Sequence, residues 1–158
     1  MTTTRRAIVH WQGGLAQGSG EITTSTSGTL MNMPVSWPAR TEEGAKGVTS
    51  PEELIAAAHA SCYSMALAGT LEKAGLAPQS MDVDATVTFE KTQDGQFTIT
   101  KSMLTVVGNV PGIDEEAFAR LAEDAKVGCP VSRALEGNVF VEVDASLSSE
   151  QQAAAAGP

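Results

Sequence analysis

The stretch SPEELIAAAHASCYSMAL, Ser50 to Leu67, decides how the rest of the chain is read. Ser50-Pro51-Glu52-Glu53 combines an N-cap serine, a proline at the first helical position and a glutamate at the third, the pattern of a capping box that opens a helix. Leu54, Ala58, Ser61-Cys62 and Met65 follow at helical spacing, while Ala56, Ala57, Ala60, Ala66 and Ala68 leave almost no polar face. Such a helix is expected at the centre of the molecule, ending near Gly75 before Pro78.

Towards the N-terminus, Ala7 to Trp11 and Glu21 to Met33 are rich in Thr, Val and Ile and punctuated by Gly13-Gly14, Gly18, Gly20 and Gly28. They read as short antiparallel strands joined by turns. Pro34 to Thr49, containing Trp37-Pro38, Arg40 and Gly47, reads as a loop long enough to point to binding or catalysis. Towards the C-terminus, Met81 to Thr92 and Gln96 to Val107 form two strands around Gln93-Asp94-Gly95, where Asp-Gly is a hairpin signal. Val83, Ala85, Val87 and Phe89 alternate with polar residues, so one hairpin face covers a core. Asp114-Glu115-Glu116 caps a second helix to about Val127, Gly128 stops it, and Cys129-Pro130 opens a third helix through Leu135. A last strand is expected from Asn138 to Ala145. The elements predict an α+β fold: one domain over 1–146, then a flexible tail over 147–158 rich in Ser and Ala.

A chain of 158 residues, 42% hydrophobic, suits one domain of ordinary size. No stretch is read as approaching the roughly 20 apolar residues of a membrane span, and the opening MTTTRRAIVHW has no apolar export region. A soluble cytoplasmic protein is expected. With 10 Lys+Arg against 19 Asp+Glu the net charge is -9, which repels phosphate backbones and anionic lipid headgroups, so neither nucleic acid nor membrane is expected as a partner.

Only two cysteines are present. Cys62 lies mid-helix on the apolar stripe, where desolvation makes a thiol inert unless a cation stands nearby. Arg40, in the long loop, is a candidate for that cation, although loop arginines are commonly just solvated. Cys129, between Gly128 and Pro130, sits at a helix start, where the helix dipole favours a thiolate. Two such thiols permit a cycle in which one becomes a sulfenic acid and the other condenses with it to a disulfide. Two inert buried thiols remain the plain alternative. His59 and Cys62, an i, i+3 pair, with Cys129 could instead form a Cys2His metal set, or His59 could be an interior histidine. His10 alternates within a strand and is expected to face solvent, and Ser61 and Ser64 have no neighbour suited to activating them.

SPEELIAAAHASCYSMAL, followed by CPVSRAL from Cys129 to Leu135, resembles the osmotically inducible protein C and organic hydroperoxide resistance family of thiol peroxidases. The opening HWQGGLAQGSGEI and VPGID, Val110 to Asp114, resemble the OsmC branch in particular. The resemblance implies two antiparallel sheets wrapped around central helices in an intertwined homodimer with two active sites. It matches Cys62 to the peroxidatic cysteine, Cys129 to the resolving cysteine, and Arg40 with Glu52 to the pair that activates the thiolate. The implied substrates are organic hydroperoxides, the implied reductant a dithiol such as dihydrolipoamide or a lipoylated protein, and no cofactor or metal is called for.

Ten residues separate Glu52 from Cys62, about 15 Å along one straight helix and roughly 80° apart in direction. Glu52 is therefore expected to serve the cysteine of the partner subunit. Leu54, Met65 and Trp37 are expected either to pack a core or to surround an alkyl hydroperoxide tail. The reading from a different class is a non-catalytic dimeric stress protein that binds a small apolar ligand or a metal.

Overall fold

A computed structural model of the chain describes residues 1–42 and 46–149. It divides into two compact units, one up to Leu54 and one from Ile55 onward. In chain order the elements are β1 (Ala7–Gln12), β2 (Ser19–Ser25), β3 (Met33–Ser36), α1 (Pro38–Thr41), α2 (Pro51–Lys73), β4 (Ser80–Lys91), β5 (Phe97–Asn109), α3 (Glu115–Gly128), α4 (Pro130–Leu135) and β6 (Phe140–Leu147). The fold is α+β, with two sheets and several helices.

In the first unit β2 pairs antiparallel with both β1 and β3. The stretch from Pro34 read as loop instead holds most of β3 and the single turn α1, so the sequence reading is corrected there. Strand β3 is set by its pairing with β2, Met33 opposite Ile22, which local sequence does not encode. Pro38 opens α1 at the position where its missing N–H costs nothing. Glu43 and Gly44 of that loop lie outside the described residues. This sheet buries one large apolar side chain, Ile22, and leaves Val9, Trp11 and Leu15 exposed.

Helix α2 starts where its capping signal lies. Ser50 Oγ accepts the Glu53 N–H at 3.2 Å, while the Glu53 carboxylate accepts from the Thr49 hydroxyl rather than from the backbone of Ser50. It ends in a Schellman motif: Gly75 is left-handed at φ +78, and the Leu76 N–H reaches the Leu71 carbonyl at 2.9 Å. The covered stripe is His59, Tyr63, Leu67 and Leu71, not Leu54, Ala58, Ser61-Cys62 and Met65. Met65 is 70% exposed, and Ala57, Ala58 and Ser61 are exposed with it, so the helix is covered along one side only. By length and composition α2 is long and apolar enough to cross a membrane, contrary to the sequence expectation, and 22% of that window is buried.

In the second unit β4 and β5 form the expected hairpin, closed by Gly95, whose N–H bonds the Thr92 carbonyl at 2.8 Å. Strand β6 pairs parallel to β5, which corrects the expectation of two purely antiparallel sheets. A parallel neighbour needs a crossover, and α3 and α4 supply it. Asp114 caps α3 by accepting the Ala117 N–H at 2.8 Å. Leu147, expected to begin the tail, closes β6 and is buried, while the expected tail from residue 150 lies outside the described residues.

The core of this unit joins Tyr63, Leu67 and Leu71 of α2 to Leu104 and Val106 of β5 and Phe118, Ala122 and Ala125 of α3. The Tyr63 hydroxyl, fully buried, donates to the Ala122 carbonyl at 2.8 Å. Gly108 lies directly under the Phe118 ring, where an added Cβ would stand 2.5 Å from Cζ. Gly108→Ala should therefore lower stability by about 1–3 kcal/mol, and Phe118→Leu in the same background should recover part of the loss, both read by urea unfolding.

Candidate active site

The sequence-predicted residues assemble as two pairs, one in each unit. In the first unit Arg40, in the last turn of α1, meets Glu52, in the first turn of α2. Arg40 Nη2 donates to Glu52 Oε1 at 2.6 Å, and Nε donates to the two carboxylate oxygens at 3.1 and 3.2 Å. This is the planar, two-pronged engagement that guanidinium favours and ammonium cannot reproduce. Glu52 is buried, its side chain 9% exposed against 26% for Arg40, so the carboxylate fixes the guanidinium from beneath. The guanidinium carbon also lies 5.5 Å from the centroid of the Trp37 ring, a cation–π distance.

Among the described residues, Arg40 is the one charged group lining a cavity of about 350 Å³ in this unit. The wall is apolar: Trp11, Leu15, Val35, Trp37 and Leu54 face it. A cavity of that size and lining suits a small apolar molecule with one polar end. Leu54 and Trp37 are thus in the surround the sequence suggested, whereas Met65 is not among the lining residues.

In the second unit the two cysteines, distant in sequence, come close enough to act on each other's thiol, and both thiols are free. Cys129 is fully buried and Cys62 partly exposed. Burial pushes the Cys62 thiol up; the backbone of Val131 opposes that, and Cys129 adds to it. Burial also pushes Cys129 up, but the Ser132 backbone, the Ser132 hydroxyl, Cys62 and the Val131 backbone outweigh it and leave this thiol below its ordinary value. None of these contacts is a regular capping hydrogen bond to α4. They are donors facing one sulfur, and together they favour its anion. Of the two thiols, Cys129 is thus the one whose surroundings favour the anion, and Cys62 the one whose surroundings oppose it.

His59 is fully buried, with Nδ1 2.7 Å from Ser102 Oγ and Nε2 2.9 Å from Ser132 Oγ. Both ring nitrogens being engaged, the Cys2His set lacks its nitrogen ligand, and no metal cluster occurs among the described residues. His10 is exposed, as expected of its strand position. Ser61 and Ser64 turn their hydroxyls back to the Ala57 and Ala60 carbonyls, each at 2.8 Å. Sequence reading missed Ser102 and Ser132. A signal existed for Ser102: it is the polar member of the inward series Ser102, Leu104, Val106 on β5.

Burial pushes the His59 imidazole below its ordinary value of 6.5. The unfolded ring takes up its proton near pH 6.5 while the native ring resists it, so the unfolded chain binds more protons in that window. The stability involved is complete above pH 6.5 and is lost as pH falls through the lower native value. Urea unfolding of wild type and His59→Gln on either side of pH 6.5 should show a steeper acid loss in the wild type.

Residues 44–144 match the family model described as OsmC-like protein. Peroxiredoxin OsmC of Escherichia coli (strain K12) is 43% identical over 142 residues, covering 90% of this chain and 96% of that protein. Among solved structures, the organic hydroperoxide resistance protein OhrB of Bacillus subtilis superimposes with a TM-score of 0.68 at 29% identity, over 89% of this chain and 98% of that one. An organic hydroperoxide resistance protein from Elizabethkingia anophelis gives 0.71 at 26% identity, over 94% and 100%. With two cysteine motifs, their meeting in the fold and these likenesses in agreement, the chain belongs to the OsmC family.

Proposed function

We propose that this chain is a two-cysteine thiol peroxidase that reduces organic hydroperoxides to alcohols as a homodimer. A peroxidase is the activity carried by the names of its relatives, peroxiredoxin OsmC and the organic hydroperoxide resistance proteins. The observation that supports this assignment of roles is the pairing of one partly exposed and one fully buried cysteine, each close enough to act on the other. A hydroperoxide reaches Cys62 first, and Cys129 waits behind it.

Cys62, once its proton has left, attacks the peroxide oxygen farther from carbon. The O–O bond breaks, Cys62 becomes a sulfenic acid, and the alkoxide takes a proton to leave as alcohol. The Cys129 thiolate then attacks the sulfenic sulfur, forming the disulfide and releasing water once hydroxide is protonated. A dithiol of the lipoyl type restores both thiols through a mixed disulfide and is itself oxidised to its cyclic disulfide.

Arg40, held by Glu52, supplies the positive charge that favours a Cys62 thiolate and orients the peroxide oxygens. The ten-residue spacing along α2 supports giving this pair to Cys62 of the partner subunit rather than to that of the same chain. The apolar cavity beside Arg40 suits the alkyl tail. Two further observations support a second chain. The first unit buries little beyond Ile22, and α2 leaves Met65, Ala57 and Ala58 exposed. The free thiols suit the reducing cytoplasm, which we take as its compartment.

Consumption of cumene hydroperoxide with dihydrolipoamide tests the reading. Wild type should turn over, Cys62→Ser should show none, and Cys129→Ser should complete one turnover and stop. Glu52→Gln should lower kcat/KM roughly a hundredfold by releasing the guanidinium. Met65→Glu should yield monomers of greatly reduced activity. A folded wild type inert towards every dithiol would favour the ligand-binding reading, and a monomer with wild-type rates would refute the shared site.

A further inference from the structure

The second unit contains a buried chain of polar groups that the peroxidase cycle leaves unexplained: Ser102 on β5, His59 on α2 and Ser132 on α4, the last one helical turn from Cys129, the N-cap of that helix. Ser102 and His59 are fully buried and Ser132 is 5% exposed. Buried polar groups concentrated in one line are costly to leave half-satisfied, and here no buried side-chain nitrogen or oxygen among the described residues lacks a partner.

A neutral imidazole donates from one nitrogen and accepts at the other, so the chain has a direction. With the proton on Nε2, His59 donates to Ser132 Oγ and accepts at Nδ1 from the Ser102 hydroxyl. The Ser132 hydroxyl, its oxygen occupied by His59, then has its own proton free to donate towards the Cys129 side chain, since an N-cap side chain and one at the third helical position face each other. In the other tautomer Ser132 must donate to Nε2, and the sulfur loses that donor. Ser102 satisfies either choice, donating to Nδ1 in the first tautomer and accepting from it in the second, so an anion forming on Cys129 is what favours the first.

We propose that His59 and Ser132 are positioning residues for disulfide closure: His59 orients the Ser132 hydroxyl so that it donates to Cys129 and keeps that sulfur ready to attack Cys62. This rests on the peroxidase reading for its consequence but not for its geometry. In the closing step the Cys129 sulfur is oxidised and the Cys62 sulfenic sulfur reduced, the S–S bond forms and the S–O bond breaks. Hydroxide leaves and takes its proton from solvent. Ser132 keeps its proton throughout and acts by stabilising the attacking anion. A hydroxyl given up opposite a thiolate weakens that anion roughly tenfold.

Two measurements test this. In a Cys62→Ser background, where Cys129 is the one thiol, its titration is followed by thiolate absorbance, which needs no reagent to enter the core. Ser132→Ala should move the midpoint up by about one pH unit, and Ser132→Thr, which keeps the hydroxyl, should leave it in place. His59→Gln should move it in the same direction when Ser132 is present and no further when Ser132 is already Ala. In the otherwise unaltered chain, rapid mixing with cumene hydroperoxide should show Ser132→Ala forming the Cys62 sulfenic acid at the wild-type rate but closing the disulfide about tenfold more slowly, so that a sulfenic-acid trap captures it. An unchanged midpoint and closure rate in folded Ser132→Ala would overturn the proposal. A wild type that forms no sulfenic acid would overturn the peroxidase reading instead, and the titration would still decide whether His59 and Ser132 control Cys129.

Discussion

The buried imidazole of His59 joins α2 to β5 through Ser102 and to α4 through Ser132, at 2.7 and 2.9 Å. Three elements far apart in sequence are thereby fixed around one ring, and two of them carry the cysteines. Hydrophobic packing alone would hold α2 against β5 and α3, but it is tolerant of small slides and rotations. A hydrogen-bonded ring in a dry interior is not, because displacing it leaves polar groups unpaired at about 1–3 kcal/mol each. The Cys62–Cys129 contact inherits that precision.

The first unit solves the opposite problem. With Ile22 its one large buried apolar side chain, a sheet of three short strands has little core of its own. What it has is a charged tie, Arg40 to Glu52, whose carboxylate is buried while its guanidinium stays partly in solvent. Such an ion pair adds modestly to stability, since desolvation offsets much of the attraction. Its value is directional: three donor contacts define the plane of the guanidinium, and Trp37 lies beside it. The unit is thus organised to present an oriented cation next to an apolar cavity.

Local chemistry was legible in the sequence and tertiary registry was not. Ser50-Pro51 and Asp114 start helices by bonding backbone N–H groups within one turn, and Asp94-Gly95 closes a hairpin between adjacent strands, so each signal and its consequence lie a few residues apart. Strand β6 beside β5 in parallel, and β3 beside β2, depend on partners chosen across the fold. The buried side of α2 was misplaced because alanine and serine occupy almost every face, so nothing in the pattern separates His59, Tyr63 and Leu67 from Ala58 and Met65. For the candidate site, Cys62, Cys129, Arg40 and Glu52 were identifiable from motifs. Ser132 was not, since a serine acquires meaning only from what folds against it, and Ser102 carried no more than its polar place in the inward series of β5.

The exposed side of α2 follows from the same composition. An ordinary surface helix puts Glu, Lys and Arg where α2 has Ala57, Ala58, Ser61 and Met65, and a chain with net charge -9 has carboxylates enough to do so. Keeping this face small and uncharged lets another helix approach to the 8–10 Å of close packing, which long charged side chains prevent. Cys62, partly exposed, lies one residue from Ser61 on that side. A second chain seated there would exclude water from the thiol while bringing its own groups to it, strengthening every charge interaction at the sulfur. In the dimer proposed above, the absence of charge on this face and the arrival of a cation from elsewhere are one requirement: a thiolate in a dry setting needs a single, well-placed counter-charge rather than many exposed ones.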